Sequence, residues 1–104
     1  DEIVVRAKRY IKSHTDCSVS DVALSCFISE PYLYMLFKEK VGCTPNDYRL
    51  KAKCKKGIEY LLTTDKTVEE ISDLIGFSSA SHFRRILKSH MGLTPKEVRK
   101  KSDF

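Results

Sequence analysis

Glycine and proline are scarce in this chain, four and three among 104 residues. Long stretches therefore run without a breaker, and none alternates apolar and polar residues in the two-residue rhythm of a half-buried strand. The expected class is all-α. There is no run of about 20 apolar residues, so nothing in the sequence reads as a membrane span. No signal peptide is visible, and the chain opens at Asp1 rather than Met, as an excised piece of something longer would. The four cysteines, Cys17, Cys26, Cys43 and Cys54, stand 9, 17 and 11 residues apart with no Cys-x-x-Cys pair. That spacing excludes the usual zinc and redox arrangements. Cys26 falls in an apolar pattern and reads as a small core residue. His82 and His90 lie too far apart along one helix to share an ion unaided. No metal and no cofactor is expected, and a reducing, cytoplasmic setting is the simple inference. Paired carboxylates, a nucleophile–base pair and a phosphate-cradling loop are all missing, so no enzyme is expected.

What is present suits one small domain or two very small subdomains. Hydrophobic residues make up 41% of the chain, and 19 Lys and Arg against 14 Asp and Glu give a net charge of +5. That mild excess permits an anionic partner without requiring one.

Helix signals succeed one another along the chain. In "IVVRAKRYIKS", Ile3, Ala7, Tyr10 and Ile11 share a face. Ser18 followed by Asp21 is a serine cap with an acid three residues on. Ser29 caps the next helix, where Leu33, Leu36 and Phe37 form an apolar stripe that ends at Gly42. Thr44-Pro45-Asn46-Asp47 combines a capping threonine, proline at the first helical position and an acid at the third, and opens a long helix. Gly57 interrupts that helix, consistent with close packing. Thr67 and Glu70 form a second capping box, before an apolar face of Ile71, Leu74 and Ile75. The expected helices lie near 2–13, 19–26, 30–40, 45–62, 68–75, 79–90 and 95–100.

The pattern repeats. Val19 and Val68, and Val22 and Ile71, match at an offset of 49. Phe27 and Phe77, Ser29 and Ser79, Lys38 and Lys88, Gly42 and Gly92, Thr44 and Thr94, Pro45 and Pro95, and Arg49 and Arg99 match at 50. The offset slips by one at Gly76, inside a turn, where an extra residue is tolerated. Each repeat is a short capped helix, a tight turn and a second helix, the helix-turn-helix layout.

The second helix of the second repeat distinguishes this layout from mere helical pairing. With Phe83 at the centre of the buried face, Ser81, Arg85 and Lys88 fall on the far side, at about 160°, 200° and 140°. From Ser78 to His90, Arg84, Arg85, Lys88 and His90 meet no acid, and the small residues Ser79, Ala80 and Ser81 occupy the first turn. Such a helix can enter a DNA major groove N-terminus first, with its N–H groups near phosphate and an arginine bridging guanine O6 and N7.

The combination "VEEISDLIGFSSASHFRRILKSHMGLTPKEVR" closely resembles the second helix-turn-helix of the AraC/XylS family of bacterial transcription regulators. "VSDVALSCFISEPYLYMLFKEKVGCTPNDYR" resembles the first, and the likeness covers about residues 3–100. It implies seven helices, with a first subdomain over residues 1–45, a connecting helix over 46–63 and a second subdomain over 64–104. It implies two recognition helices in successive major-groove segments of double-stranded DNA, read sequence-specifically. It implies a separate N-terminal sensing or receiver domain outside this sequence. RNA polymerase is expected as a further partner, no membrane is, and the domain itself is expected to be monomeric. The chain departs from the family at His82, where an aromatic is common, at Leu87, where phenylalanine is, and at Gly57, often alanine.

Carried over by position, the base-reading residues of the second motif are Ala80, Ser81, Arg84 and Arg85, and those of the first are Glu30, Pro31, Tyr34 and Met35. Met35 offers apolar contact to thymine methyls, and Tyr34 a polar or stacking contact. Lys38 and Lys88, beside the reading faces, are phosphate candidates, as are Ser29 and Ser79 while they cap. Arg49 and Arg99 are as readily structural as functional, and Lys51, Lys53, Lys55 and Lys56 ring the long helix as solvated surface. The competing reading is a helical protein-interaction module, favoured in the first half by Glu30 and Met35.

Overall fold

The structure, a computed structural model, describes residues 1–101. The last three residues of the expected second subdomain, 102–104, lie outside the described residues. The helices are α1 (Glu2–Ser13), α2 (Val19–Ser25), α3 (Glu30–Lys40), α4 (Pro45–Thr63), α5 (Val68–Ile75), α6 (Ala80–Met91) and α7 (Pro95–Lys101), and no strand occurs among the described residues. Their ends match the sequence expectation to within a residue. Local chemistry explains this agreement. The Ser18 hydroxyl accepts from Asp21 N–H while the Asp21 carboxylate accepts from Ser18 N–H. Thr67 with Glu70 and Thr94 with Glu97 repeat that reciprocal pair. Gly92 ends α6 in the left-handed conformation, with φ 72°.

The chain divides into two compact units, residues 1–52 and 53–104, the boundary falling inside α4. In the first, Ala7, Ile11, Cys17, Val22, Ala23, Cys26, Leu33 and Phe37 form the core. In the second, Cys54, Leu61, Ile71, Ile75, Phe77, Phe83, Leu87 and Val98 are buried. Burying a large apolar side chain contributes about 1.5–3 kcal/mol, so Phe37 and Phe83 are principal anchors of their units.

The internal repeat is longer than the sequence pattern reveals. At the offset of 50, buried Val4, Ala7 and Ile11 of α1 correspond to buried Cys54, Gly57 and Leu61 in the second half of α4. The first half of α4 corresponds to α7, through buried Pro45 and Pro95. Each unit is thus a helix, a short helix, a turn, a third helix and a Thr-Pro-capped fourth. Arg49 and Arg99 serve the same purpose in both. Arg49 donates to the Cys17 carbonyl at 3.1 Å and to Asn46 Oδ1 at 2.8 Å. Arg99 donates to the carbonyls of Leu61 at 3.3 Å and Thr64 at 3.1 Å, and also to that of Lys66. These guanidiniums satisfy carbonyls at and beyond helix ends, a structural use.

Three sequence expectations are corrected. Leu74 is 52% exposed, and Ser72 takes the place in the core that the apolar stripe assigned to it. Lys53 is buried rather than solvated. Phe27 and Phe77 are not equivalents: Phe27 is 88% exposed and Phe77 only 5%. Ile28 N–H bonds the Ala23 carbonyl as Phe77 N–H bonds that of Ser72, so Ile28 matches Phe77. Phe27 (φ 57°) then matches Gly76 (φ 85°), both left-handed. The extra residue is Ser78, after the bend rather than at Gly76.

Candidate nucleic-acid interface

The bend before α6 is held from below. Lys53 Nζ donates to the Gly76 carbonyl at 2.9 Å and stands 5.0 Å from the centre of the Phe77 ring. A buried ammonium requires such partners, because losing water is costly for a charge. Phe77 stacks on Phe83 at 5.3 Å. Gly57 provides the space: a Cβ there would come within 2.6 Å of Phe83 Cζ. The glycine that breaks the α4 pattern therefore lets Phe83, the inner anchor of α6, approach.

With its inner face held this way, α6 turns the expected residues outward. Ser81, Arg84, Arg85 and Lys88 are exposed and Ala80 is half-buried. The Ser79 hydroxyl caps the helix by accepting from His82 N–H at 3.0 Å. Ser78, Ser79, Ser81, His82 and Arg85 line a shallow hollow of about 400 Å³ at this end. The Ser78 hydroxyl and His82 Nδ1 lie 3.3 Å apart, and His82 meets the Phe77 ring edge-on at 5.2 Å.

The charges on α6 are not equivalent. No acid occurs within the stretch itself, yet neighbouring elements supply two. Arg84 Nη2 lies 3.7 Å from Glu69 Oε1 of α5, and Lys88 Nζ lies 3.8 Å from Glu97 Oε1 of α7. Lys88 also donates to the Gly92 carbonyl at 3.4 Å. Bonds from the Thr94 N–H and hydroxyl, with the nearby Lys88 charge, hold the Glu97 carboxyl below its ordinary pKa. Among the described residues no carboxylate pairs with Arg85. Arg85 therefore combines full charge, exposure and a place beside the hollow. Nothing in the sequence spacing marks Glu69 as a neighbour of Arg84, whereas Glu97 is recognisable as the acid of its capping box.

In the first unit, α3 carries the corresponding residues. The Ser29 hydroxyl accepts from Tyr32 N–H at 3.3 Å, and Pro31 stands in the first turn. Glu30, Pro31, Tyr34, Met35 and Lys38 are all exposed, while Leu33, Leu36 and Phe37 point inward. Each motif thus gathers its own predicted residues on one outward helix face. Burial pushes the Cys54 thiol up to about 11, so it stays protonated at neutral pH. No helix among the described residues is long and apolar enough to cross a membrane.

A sequence profile described as "Helix-turn-helix domain" matches residues 26–101. Transcriptional activator NphR of Rhodococcus sp is 32% identical over 102 residues, which cover 95% of this chain and 30% of that protein. The crystal structure of a Chromobacterium violaceum transcriptional regulator, described as an AraC-type DNA-binding domain-containing protein, superposes with a TM-score of 0.91. It is 27% identical, over 98% of this chain and 93% of that one. The C-terminal domain of AraT, a response regulator from Geobacillus stearothermophilus, superposes with a TM-score of 0.89 at 29% identity, over 97% of this chain and 86% of that one. The chain spans about a third of the length of the curated relatives it matches.

Proposed function

The chain belongs to the AraC/XylS family of helix-turn-helix transcription regulators, and from that premise we propose that it is the sequence-specific, double-stranded-DNA-binding part of a longer bacterial regulator. The observation that carries this reading is the outward face of α6: a capped N-terminus, small residues in the first turn, and exposed Arg84, Arg85 and Lys88 over a buried Phe83–Leu87 inner face. The helix enters the major groove N-terminus first. Arg85, with no acid to leave, bonds guanine O6 and N7 bidentately. Arg84 exchanges Glu69 for a base or phosphate, while Ala80 and Ser81 permit close approach. Ser79 and Lys88 hold phosphates on either side and set register. In the first unit Glu30, Pro31, Tyr34 and Met35 face the bases, with Ser29 and Lys38 on the backbone. The domain acts as a monomer in the bacterial cytoplasm and catalyses no reaction. The remaining length of the regulator holds a sensing or receiver domain, and RNA polymerase is a further partner of the whole.

Selection from a random duplex pool tests the reading. The recovered sequences should share a motif, and a pool that stays random contradicts it. Arg85→Ala should then lower affinity for the selected duplex by about tenfold, since a bidentate base contact discriminates by roughly 1–3 kcal/mol. The loss should relax preference at one base pair and spare unrelated DNA. If every duplex weakens equally, Arg85 touches only phosphate.

A further inference from the structure

The repeat allows the two reading faces to be compared position by position, and they differ in kind. At the offset of 50, Glu30 stands for Ala80, Pro31 for Ser81, Tyr34 for Arg84 and Met35 for Arg85. Tyr34 is 38% exposed and Met35 46%, so both are available to a partner. Neither Pro31 nor Met35 offers a hydrogen-bond donor, and an ionised Glu30 only accepts. The units differ in charge as well. Residues 1–52 hold eight Lys and Arg against seven Asp and Glu, and residues 53–104 hold eleven against seven. The second unit can bind phosphate through charge, but the first has almost no net charge with which to do so.

A major groove offers an apolar side chain one feature, the methyl group on pyrimidine C5. Methionine is flexible and polarizable enough to pack against it without strain. We propose that the first unit reads pyrimidine C5-methyl groups, chiefly those of thymine, through Met35 and the Tyr34 ring, while the second unit supplies most of the electrostatic affinity. This rests on the reading that α3 and α6 face the major groove, and it adds the chemical group that α3 selects. Cytosine methylated at C5 carries the same methyl in the same groove and is recognised in the same way.

The test uses the selected duplex, with thymines replaced one at a time by deoxyuridine, which removes the methyl and keeps every hydrogen-bonding edge. In the half insensitive to Arg85→Ala, each methyl read should be worth about fourfold in affinity, the value of one buried carbon. The effect should persist across salt concentrations, because a methyl contact releases no counterions. Met35→Ala should remove most of the deoxyuridine effect, and since Met35 is exposed the variant should fold normally. A C·G pair placed at the same position should bind more tightly when its cytosine is 5-methylated. If deoxyuridine changes nothing while Arg85→Ala still relaxes one base pair, the methyl reading fails and DNA recognition by α6 stands. If Met35→Ala leaves DNA affinity and sequence preference untouched, α3 does not read DNA through this face, which then faces a protein instead. If no duplex is selected at all, it is the wider DNA-binding reading that fails.

Discussion

Phe27 and Gly76 occupy the same left-handed bend in the two units, at φ 57° and 85°. For a residue with a side chain this conformation costs about 1–2 kcal/mol, whereas glycine adopts it freely. The Phe27 side chain recovers little of that cost, being 88% exposed. Phe27→Gly should therefore stabilise the protein by about 0.5–1 kcal/mol, after subtracting the larger backbone entropy that glycine loses on folding. Urea unfolding would show the gain as a higher midpoint at unchanged slope, and a lower midpoint would mean that the ring makes contacts that matter. Matching phenylalanine to phenylalanine in the sequence hid this equivalence, because letters align by identity and bends align by dihedral angle. Leu74 was misplaced for a related reason: in a two-turn helix the apolar stripe is too short to define its own centre. Lys53 was misread because charge argues for solvent unless the partner is known, and its partner is a carbonyl 23 residues away.

Among the elements, the helices were legible almost to the residue because their signals are local. Caps, an N1 proline and a C-terminal glycine each act within one turn. The pairs that arrange the outward face of α6, Glu69 with Arg84 and Lys53 with Gly76, act between elements and leave no spacing signature. The outward exposure of Ser81, Arg85 and Lys88 was legible because it follows from helical period once Phe83 is known to be buried, whereas the assignment of base-reading positions rests on the family resemblance. The caps also carry a pH dependence. Hydrogen bonds from the capping residue's N–H and hydroxyl lower the pKa of Asp21, Glu70 and Glu97. A carboxyl whose folded pKa is depressed contributes stability above its unfolded pKa and loses it as pH falls through the folded value. For Glu70 the ordinary value is 4.5. The stability advantage of the native protein over Glu70→Gln should thus be present at neutral pH and shrink as pH falls below that value. Denaturant unfolding of both proteins across this range checks it. An advantage that grows on acidification would contradict the capping account.

For the whole molecule, the excess of basic residues is modest, +5 over 104 residues, and lies mostly in residues 53–104. Two of the cations on α6 already face carboxylates, Arg84 with Glu69 and Lys88 with Glu97, so under the proposed function part of their gain on DNA is offset by leaving those partners. Both pairs are exposed, and surface ion pairs are worth at most about 1 kcal/mol, which phosphate contact can exceed. The central claim is that this surface is held by DNA phosphates while its bases are read. It is tested most directly by measuring affinity for the selected duplex from low to moderate salt, for the native protein and for Lys88→Ala. Log affinity should fall linearly with log salt by about 0.9 per phosphate contact, and Lys88→Ala should reduce that slope by about one contact while weakening all sequences alike. A native slope near zero would contradict the account.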